Sequence, residues 1–397
     1  MAETAPILRL AGGLNAVAPT RVLPLSLYVH VPWCVRKCPY CDFNSHPLRD
    51  ELPEAAYLDA LTRDLEAALS DIWGRPVETV FIGGGTPSLL TPEAIDRLLT
   101  TVRTLLPLRP GAEITLEANP GTFEQARFRG YREAGINRLS LGIQSFDDRF
   151  LKALGRIHDA AEAHAAVSGA LAIFERVNLD LMYALPGQTE ADLVRDLAAA
   201  LAEGPEHLSC YHLTLEPNTA FSAAPPALPD DDLASAMQDR VEATLAEAGY
   251  QHYETSAYAR PGAACQHNLN YWLFGDYLGI GAGAHSKLSF PDRVVRQARP
   301  RHPRDYLAWT AGGATPGEVR VLDQADLRFE FMMNVLRLQA GFEAGLFSER
   351  TGLSLPVIAD ALSEAESKGL LVQDYPHIRP TARGRAFLND LLQIFLD

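Results

Sequence analysis

Six times between Leu25 and Leu213, a short run rich in β-branched and aromatic residues alternates with a stretch of helical spacing, which restricts the chain to a largely parallel α/β fold. The predicted strands are Leu25 to Val31, 77–82, 113–118, 138–143, 177–182 and 207–213. Helices are predicted at Leu52 to Trp73, 91–105, 122–134, 159–174 and 189–203. The first helix places Tyr57, Leu58, Leu61, Leu65, Leu69 and Ile72 on one face, the stripe of a helix packed against a sheet. Two architectures satisfy this alternation: an incomplete (β/α)6 barrel and a doubly wound open sheet. In the barrel, functional side chains collect at the C-terminal ends of the strands.

The loop after the first strand is Cys34-Val35-Arg36-Lys37-Cys38-Pro39-Tyr40-Cys41. Three thiolates so close repel one another unless a cation binds them. The Cys-x3-Cys-x2-Cys spacing lets one tight loop direct three sulfurs at one iron–sulfur cluster, whereas a four-iron cluster held by protein alone takes four. One iron is then open to a cosubstrate, as the open position of a catalytic zinc is. S-adenosylmethionine, with an amino and a carboxylate group, suits that position. The other reading is a structural zinc with His30, Asp42 or His46 as fourth ligand, against which stands the lack of a second paired-cysteine knuckle. Five cysteines in 397 residues are too few, and odd in number, for a disulfide framework.

Polar residues recur where the barrel rule looks for them. Gly83-Gly84-Gly85-Thr86-Pro87 follows the second strand, and its glycines allow backbone N–H groups close to an anion. Thr91-Pro92-Glu93 then starts a helix with a cap and an N1 proline. Glu117, Gln144, Arg156 and Asp180 stand at or just past successive strand ends. Each alone reads as a surface polar group; together on one face they suit a ligand, the carboxylates for ribose hydroxyls and the arginine for a carboxylate.

The second half is less regular. Residues 216–230 read as a loop over the barrel mouth, 231–248 as a helix, and Tyr253 to Ala259 as a strand. The most aromatic stretch follows, Cys265-Gln266-His267-Asn268-Leu269-Asn270-Tyr271-Trp272-Leu273-Phe274. It reads either as a core aromatic cluster with one hydrogen-bonded histidine or as a porphyrin site, with aromatic faces for the macrocycle and an imidazole for its iron. His267 is the axial candidate, with Cys265 behind it. Residues 293–304, RVVRQARPRHPR, read as a hinge whose cations either face solvent or hold tetrapyrrole propionates. Helices at 326–338, 343–351 and 355–368, short strands at Leu370 to Gln373 and at Ile378, and a last helix from Thr381 to Phe395 suggest a winged-helix-like end. The predicted division is 1–22 as a loose arm, 23–290 as the barrel, 291–322 as a linker and 323–397 as the C-terminal domain.

The formal charge of -15 argues against a nucleic-acid partner, and no apolar run approaches the ~20 residues of a membrane helix. The early Glu3 and short apolar runs do not read as a signal peptide, so a cytoplasmic protein with reduced thiols is expected.

Tyr28 through Phe43, YVHVPWCVRKCPYCDF, resembles the cluster loop of radical S-adenosylmethionine enzymes, and more narrowly the family of oxygen-independent coproporphyrinogen III oxidase (HemN) and the haem chaperone HemW. The strings LGIQSF and LGRIH, the HNxxYW block at His267 to Trp272 and GDYLGIGAGAHS agree along nearly the whole chain. The resemblance implies the partial barrel, a [4Fe-4S] cluster on Cys34, Cys38 and Cys41, and a glycine motif at Gly84, Gly85 and Thr86 for the cosubstrate's amino group. It implies cosubstrate contacts at Tyr28, Tyr40, Glu117, Gln144, Arg156 and Asp180, with His285 nearby, and haem or another tetrapyrrole near His267. Two functions share this machinery: oxidative decarboxylation of coproporphyrinogen III propionates, and delivery of haem to respiratory proteins at the membrane. The oxidase loop carries a fourth cysteine where Phe43 stands, and about 24 residues before the first strand are fewer than the oxidase has, which favours the carrier.

Overall fold

The computed structural model describes residues 19, 21–122, 125–314 and 317–396. The arm expected at 1–22 lies almost wholly outside them.

All six expected strands form: β1 (Leu25–Val31), β2 (Val77–Gly84), β3 (Leu108–Ala118), β4 (Arg138–Gln144), β5 (Arg176–Tyr183) and β6 (His207–His212). They pair in chain order, each parallel to the next. A doubly wound sheet reverses its strand order at a switch point; this one does not, and right-handed crossovers in one unbroken direction put the connecting helices on a single face, as in a barrel. β1 and β5 are buried along nearly their whole length, which explains why they read as continuous apolar runs. The sheet stays open, because β1 and β6 each pair with a further strand instead of with one another.

Those further strands enlarge the sheet to twelve. Beyond β6 lies a hairpin, β7 (Gln251–Glu254) and β8 (Ala257–Ala259), where one strand was expected. On the other side β9 (Asp276–Ile280) runs parallel to β1, and β10 (His285–Ser289), β11 (Val294–Ala298) and β12 (Glu318–Val321) follow antiparallel. The Arg-rich hinge is therefore corrected. Its first half is β11, and its second half turns at Pro300 into helix Pro303–Ala311, capped by His302 with a proline at N1. Arg296 within β11, with Arg293 and Arg299 on either side, hid a strand whose conformation is set by its ladder with β10, from His285↔Ala298 to Ser289↔Val294. Residues 291–322 thus contribute two strands and a helix in place of a linker.

Two buried ionic clusters fasten this extension to the barrel. Asp276 accepts from Lys287 Nζ at 3.0 Å and Arg75 Nη1 at 2.8 Å. Asp64, on helix Glu54–Ile72, accepts from Arg299 Nε at 2.8 Å, from the Tyr306 hydroxyl at 2.9 Å and from Gly281 N–H at 3.1 Å.

The C-terminal part has its own core. Helices Gln324–Val335, Ala344–Thr351 and Ala359–Ser367 surround Phe331, whose ring meets Phe342 and Phe347 edge-on at 5.2 Å. The strand pair Leu371–Asp374 and His377–Pro380 forms the wing, and Phe342–Glu343 adds a third short strand. The expected last helix is two, Ala382–Ala386 and Leu388–Gln393. Phe274 and Val294 from the barrel side also enter this core, so the C-terminal part packs directly on the segment after His267.

Candidate functional site

Backbone bonds fold the cysteine loop back on itself. His46 N–H donates to Pro32 O at 2.7 Å and Leu48 N–H to Cys34 O at 2.8 Å, while Lys37 Nζ reaches Phe43 O and Ser45 O. The turn after β2 packs against it so closely that only glycine fits: a Cβ on Gly85 would lie 2.5 Å from Trp33 O, and one on Gly84, whose φ is +116°, 2.6 Å from the His30 ring. Gly85 N–H donates to Val31 O at 2.7 Å, which locks loop and turn together.

All five cysteines are free thiols. Burial pushes the Cys34 and Cys41 thiols up from their ordinary range, opposed by hydrogen bonds to Thr86 and Ser45 at Cys34 and to Phe43 and Ser45 at Cys41. Arg156 Nη1 lies 3.6 Å from Cys38 Sγ. The three thiols line one cavity of about 490 Å³ together with Tyr40, Gly84, Gly85, Thr86, Glu117, Gln144, Arg156 and Asp180. Eleven residues singled out in the sequence thus meet in one place. Among the described residues, no three His, Cys, Asp or Glu side chains gather as a site for a single metal ion. His30, a candidate zinc ligand, has both ring nitrogens engaged, with the Tyr28 hydroxyl and with Asn44 O, each at 2.9 Å.

The polar wall is already organised. Arg156 Nη2 donates to Asn119 Oδ1 at 2.6 Å and Gly142 O at 2.7 Å, while its buried Nε has no protein partner. Gln144 holds a left-handed φ of +71°, an uncommon conformation for a non-glycine residue and one of six among the described residues. Asp180 accepts from Asn178 Nδ2 at 2.9 Å and Ser140 Oγ at 3.2 Å, and Glu117 Oε2 accepts from Gly84 N–H at 3.0 Å. Burial first, and the nearby Asp180 second, raise the Glu117 carboxyl to about 8, and burial raises Asp180 as well. Without a ligand, Glu117 is therefore largely protonated at pH 7. A cationic ligand in this cavity favours the carboxylate and pulls that pKa down, so binding of S-adenosylmethionine, a sulfonium, is expected to release protons near pH 7. Calorimetric titration in two buffers of different ionisation heat measures the release. Glu117→Gln should abolish most of it, and equal release from both proteins would remove Glu117 from the ligand's surroundings.

Tyr28, His267 and His285 lie elsewhere. They line a second, larger cavity of about 1430 Å³, which shares Asp42, Phe43, Phe81, Gly84, Glu117 and Asn268 with the first. Tyr28 and His285, expected beside the cosubstrate, thus face this cavity. His267 sits on the short helix Gln266–Trp272, anchored by Glu113, which accepts from His267 N–H at 3.1 Å and from Cys265 Sγ at 3.4 Å. Cys265 is fully buried behind that helix and lines neither cavity. Thr79 Oγ1 donates to Ser26 Oγ at 2.8 Å and lies 2.9 Å from His267 Nδ1, so Nδ1 carries the imidazole proton and Nε2 keeps its lone pair. Burial, and secondarily Arg138, push the imidazole down to about 3, which keeps it neutral. Tyr28 and Phe81 flank its ring at 6.4 and 5.0 Å.

Several contributors escaped the sequence reading. Asn119 joins Arg156 to Thr86 Oγ1, and its place two residues after Glu117 in LEANP was an available signal. Buried Arg138 and His207 line the floor of the cluster cavity, and at strand beginnings no motif marks them. No helix among the described residues is long and apolar enough to cross a membrane.

An unclosed parallel barrel bearing three thiols after its first strand and a glycine turn after its second defines a radical S-adenosylmethionine protein. The model of the Radical SAM superfamily matches residues 28–200, and that of the HemN C-terminal domain matches residues 322–387. Heme chaperone HemW of Escherichia coli (strain K12) is 50% identical over 375 residues, 94% of this chain and 98% of the relative. Heme chaperone HemW of Haemophilus influenzae is 47% identical over 379 residues, again 94% of this chain and 98% of the relative. The solved structure of coproporphyrinogen III oxidase (HemN) from Escherichia coli superposes with a TM-score of 0.79 at 26% identity, covering 94% of this chain and 90% of that one. The chain belongs to the HemW family of the radical SAM superfamily. Membership implies a [4Fe-4S] cluster and S-adenosylmethionine. The residues present fit both: three free thiols, one buried and two partly exposed, beside an arginine with an orphaned nitrogen, and a glycine cradle that no side chain can fill.

Proposed function

We propose that this protein is a haem chaperone, holding haem in the larger cavity and passing it to respiratory haem proteins at the cytoplasmic face of the membrane. The observation that carries the reading is His267, a neutral imidazole with a free Nε2 in a cavity of about 1430 Å³ lined by Tyr28, Phe81, Tyr271, Trp272 and Tyr277. Ordinary small-molecule sites measure ~300–1,000 Å³, so the space suits a macrocycle. A neutral imidazole with its second nitrogen hydrogen-bonded is the usual arrangement of a metal-ligating histidine. Cys34, Cys38 and Cys41 would hold the cluster, which would supply one-electron reducing chemistry beside S-adenosylmethionine. Gly84, Gly85, Thr86, Tyr40, Gln144, Arg156, Glu117 and Asp180 orient that cosubstrate.

Replacing His267 by Ala is expected to weaken haem binding by at least the ~10–100-fold that loss of a metal ligand's hydrogen-bonded partner typically costs, and to shift the Soret band. An unchanged spectrum and affinity would move the site away from this helix. A second reading, oxidative decarboxylation of coproporphyrinogen III, draws on the wall common to both cavities, where Glu117 and Gly84 face each. Carbon dioxide released from that substrate by reconstituted protein would favour it over the chaperone.

A further inference from the structure

The stretch 293–304 contains five arginines, and the structure sorts them. Arg293 pairs with Asp292 at 2.8 Å, Arg296 with Glu330 at 2.6 Å, Arg299 with Asp64 at 2.8 Å and Arg304 with Asp305 at 3.4 Å. Arg301 is exposed, lines the larger cavity, and has no recorded side-chain partner among the described residues. Its backbone is nonetheless fixed. Arg301 O accepts from Asn44 Nδ2 at 2.9 Å, the preceding Pro300 O accepts from Gly283 N–H at 2.9 Å, and the following His302 caps helix Pro303–Ala311. A guanidinium on an immobilised backbone, with its donors unused, forfeits little order when it grips a planar anion.

The cavity's composition is asymmetric around it. Tyr28, Phe81 and His267 form the end set against β1 and β2, while His285, Pro300 and Arg301 belong to the side built by β10, β11 and the turn after β11. Glu318 also lines that side, yet makes no ion pair with Arg301. A ligand filling this space would place its apolar body against the aromatic end and its acidic groups at the turn.

We propose that Arg301 is the carboxylate receptor of the larger cavity, recognising the propionate edge of the tetrapyrrole. This rests on the haem-binding reading and goes beyond it by fixing the orientation of the ligand: iron toward His267, acids toward the turn after β11. It also separates Arg301 from the four neighbouring arginines, each of which already pairs with a carboxylate.

The test compares haem with haem dimethyl ester, which keeps the macrocycle and iron but lacks ionised carboxylates. Spectroscopic titrations use the full-length protein, Arg301→Gln, Arg301→Lys and, as a control, Arg304→Gln. Wild-type protein should bind haem roughly tenfold more tightly than the ester, the scale of one charge-assisted contact. Arg301→Gln should lose about that factor for haem and nothing for the ester, Arg301→Lys should recover part of it, and Arg304→Gln should match wild type. Equal losses for both ligands, or none for either, overturn the carboxylate assignment while leaving haem binding in place. Absence of binding of either ligand to wild-type protein removes the haem reading itself, and the assignment with it.

Discussion

Replacing any one of Cys34, Cys38 or Cys41 by Ala is expected to reduce iron and sulfide to near zero in anaerobically reconstituted protein. Each thiol would supply one of three protein bonds to the cluster, and no other cysteine lines the cavity to take its place: Cys210 is buried in the barrel core and Cys265 lies behind the His267 helix. The fold should survive. The loop is closed by Lys37 and by backbone bonds that need no metal, and the turn after β2 braces it independently. Iron and sulfide analysis with circular dichroism on the same samples checks both halves. A variant that keeps a full complement of iron and sulfide would contradict the ligand set.

The largest expected loss of stability comes from Asp64. Its carboxylate is almost completely buried and accepts from Arg299, Tyr306 and Gly281, tying helix Glu54–Ile72 to the turn after β9, to the residue after β11 and to helix Pro303–Ala311. Asp64→Ala strands a buried guanidinium, a hydroxyl and an amide at once, and breaking such a pair costs about 3–5 kcal/mol. Arg299→Ala should cost less, because Asp64 would still accept from Tyr306 and Gly281, and because burial already raises its pKa enough to ease protonation once the arginine is gone. Denaturant unfolding of the two variants decides this ordering; equal losses would mean that the ion pair alone accounts for the cluster.

The parallel part of the fold was legible because strands buried on both faces announce themselves as apolar runs, and because their strict alternation with helices leaves few topologies. The cluster cavity was legible for a related reason: its ligands lie at or just past strand ends and in the loops that follow, so order along the chain becomes proximity in space. The larger cavity was harder to read. Tyr28 and His285 were placed near the cosubstrate by the family resemblance, and both line the larger cavity, which shares Gly84 and Glu117 with the cluster cavity. β11 was missed because Arg296 interrupts its short apolar run and Arg293 and Arg299 flank it. Their partners Asp292, Glu330 and Asp64 span the sequence from one beside its arginine to one 235 residues away, and no local pattern could show that the charges would be neutralised.

Asn44 ends the cysteine loop, and its amide donates to Ala282 O and Arg301 O while its carbonyl accepts from His30. One side chain therefore stitches the metal-bearing loop to the rim of the neighbouring chamber. Any displacement of the cysteine loop is therefore transmitted to Ala282 and Arg301, and the two chambers share one mechanical joint.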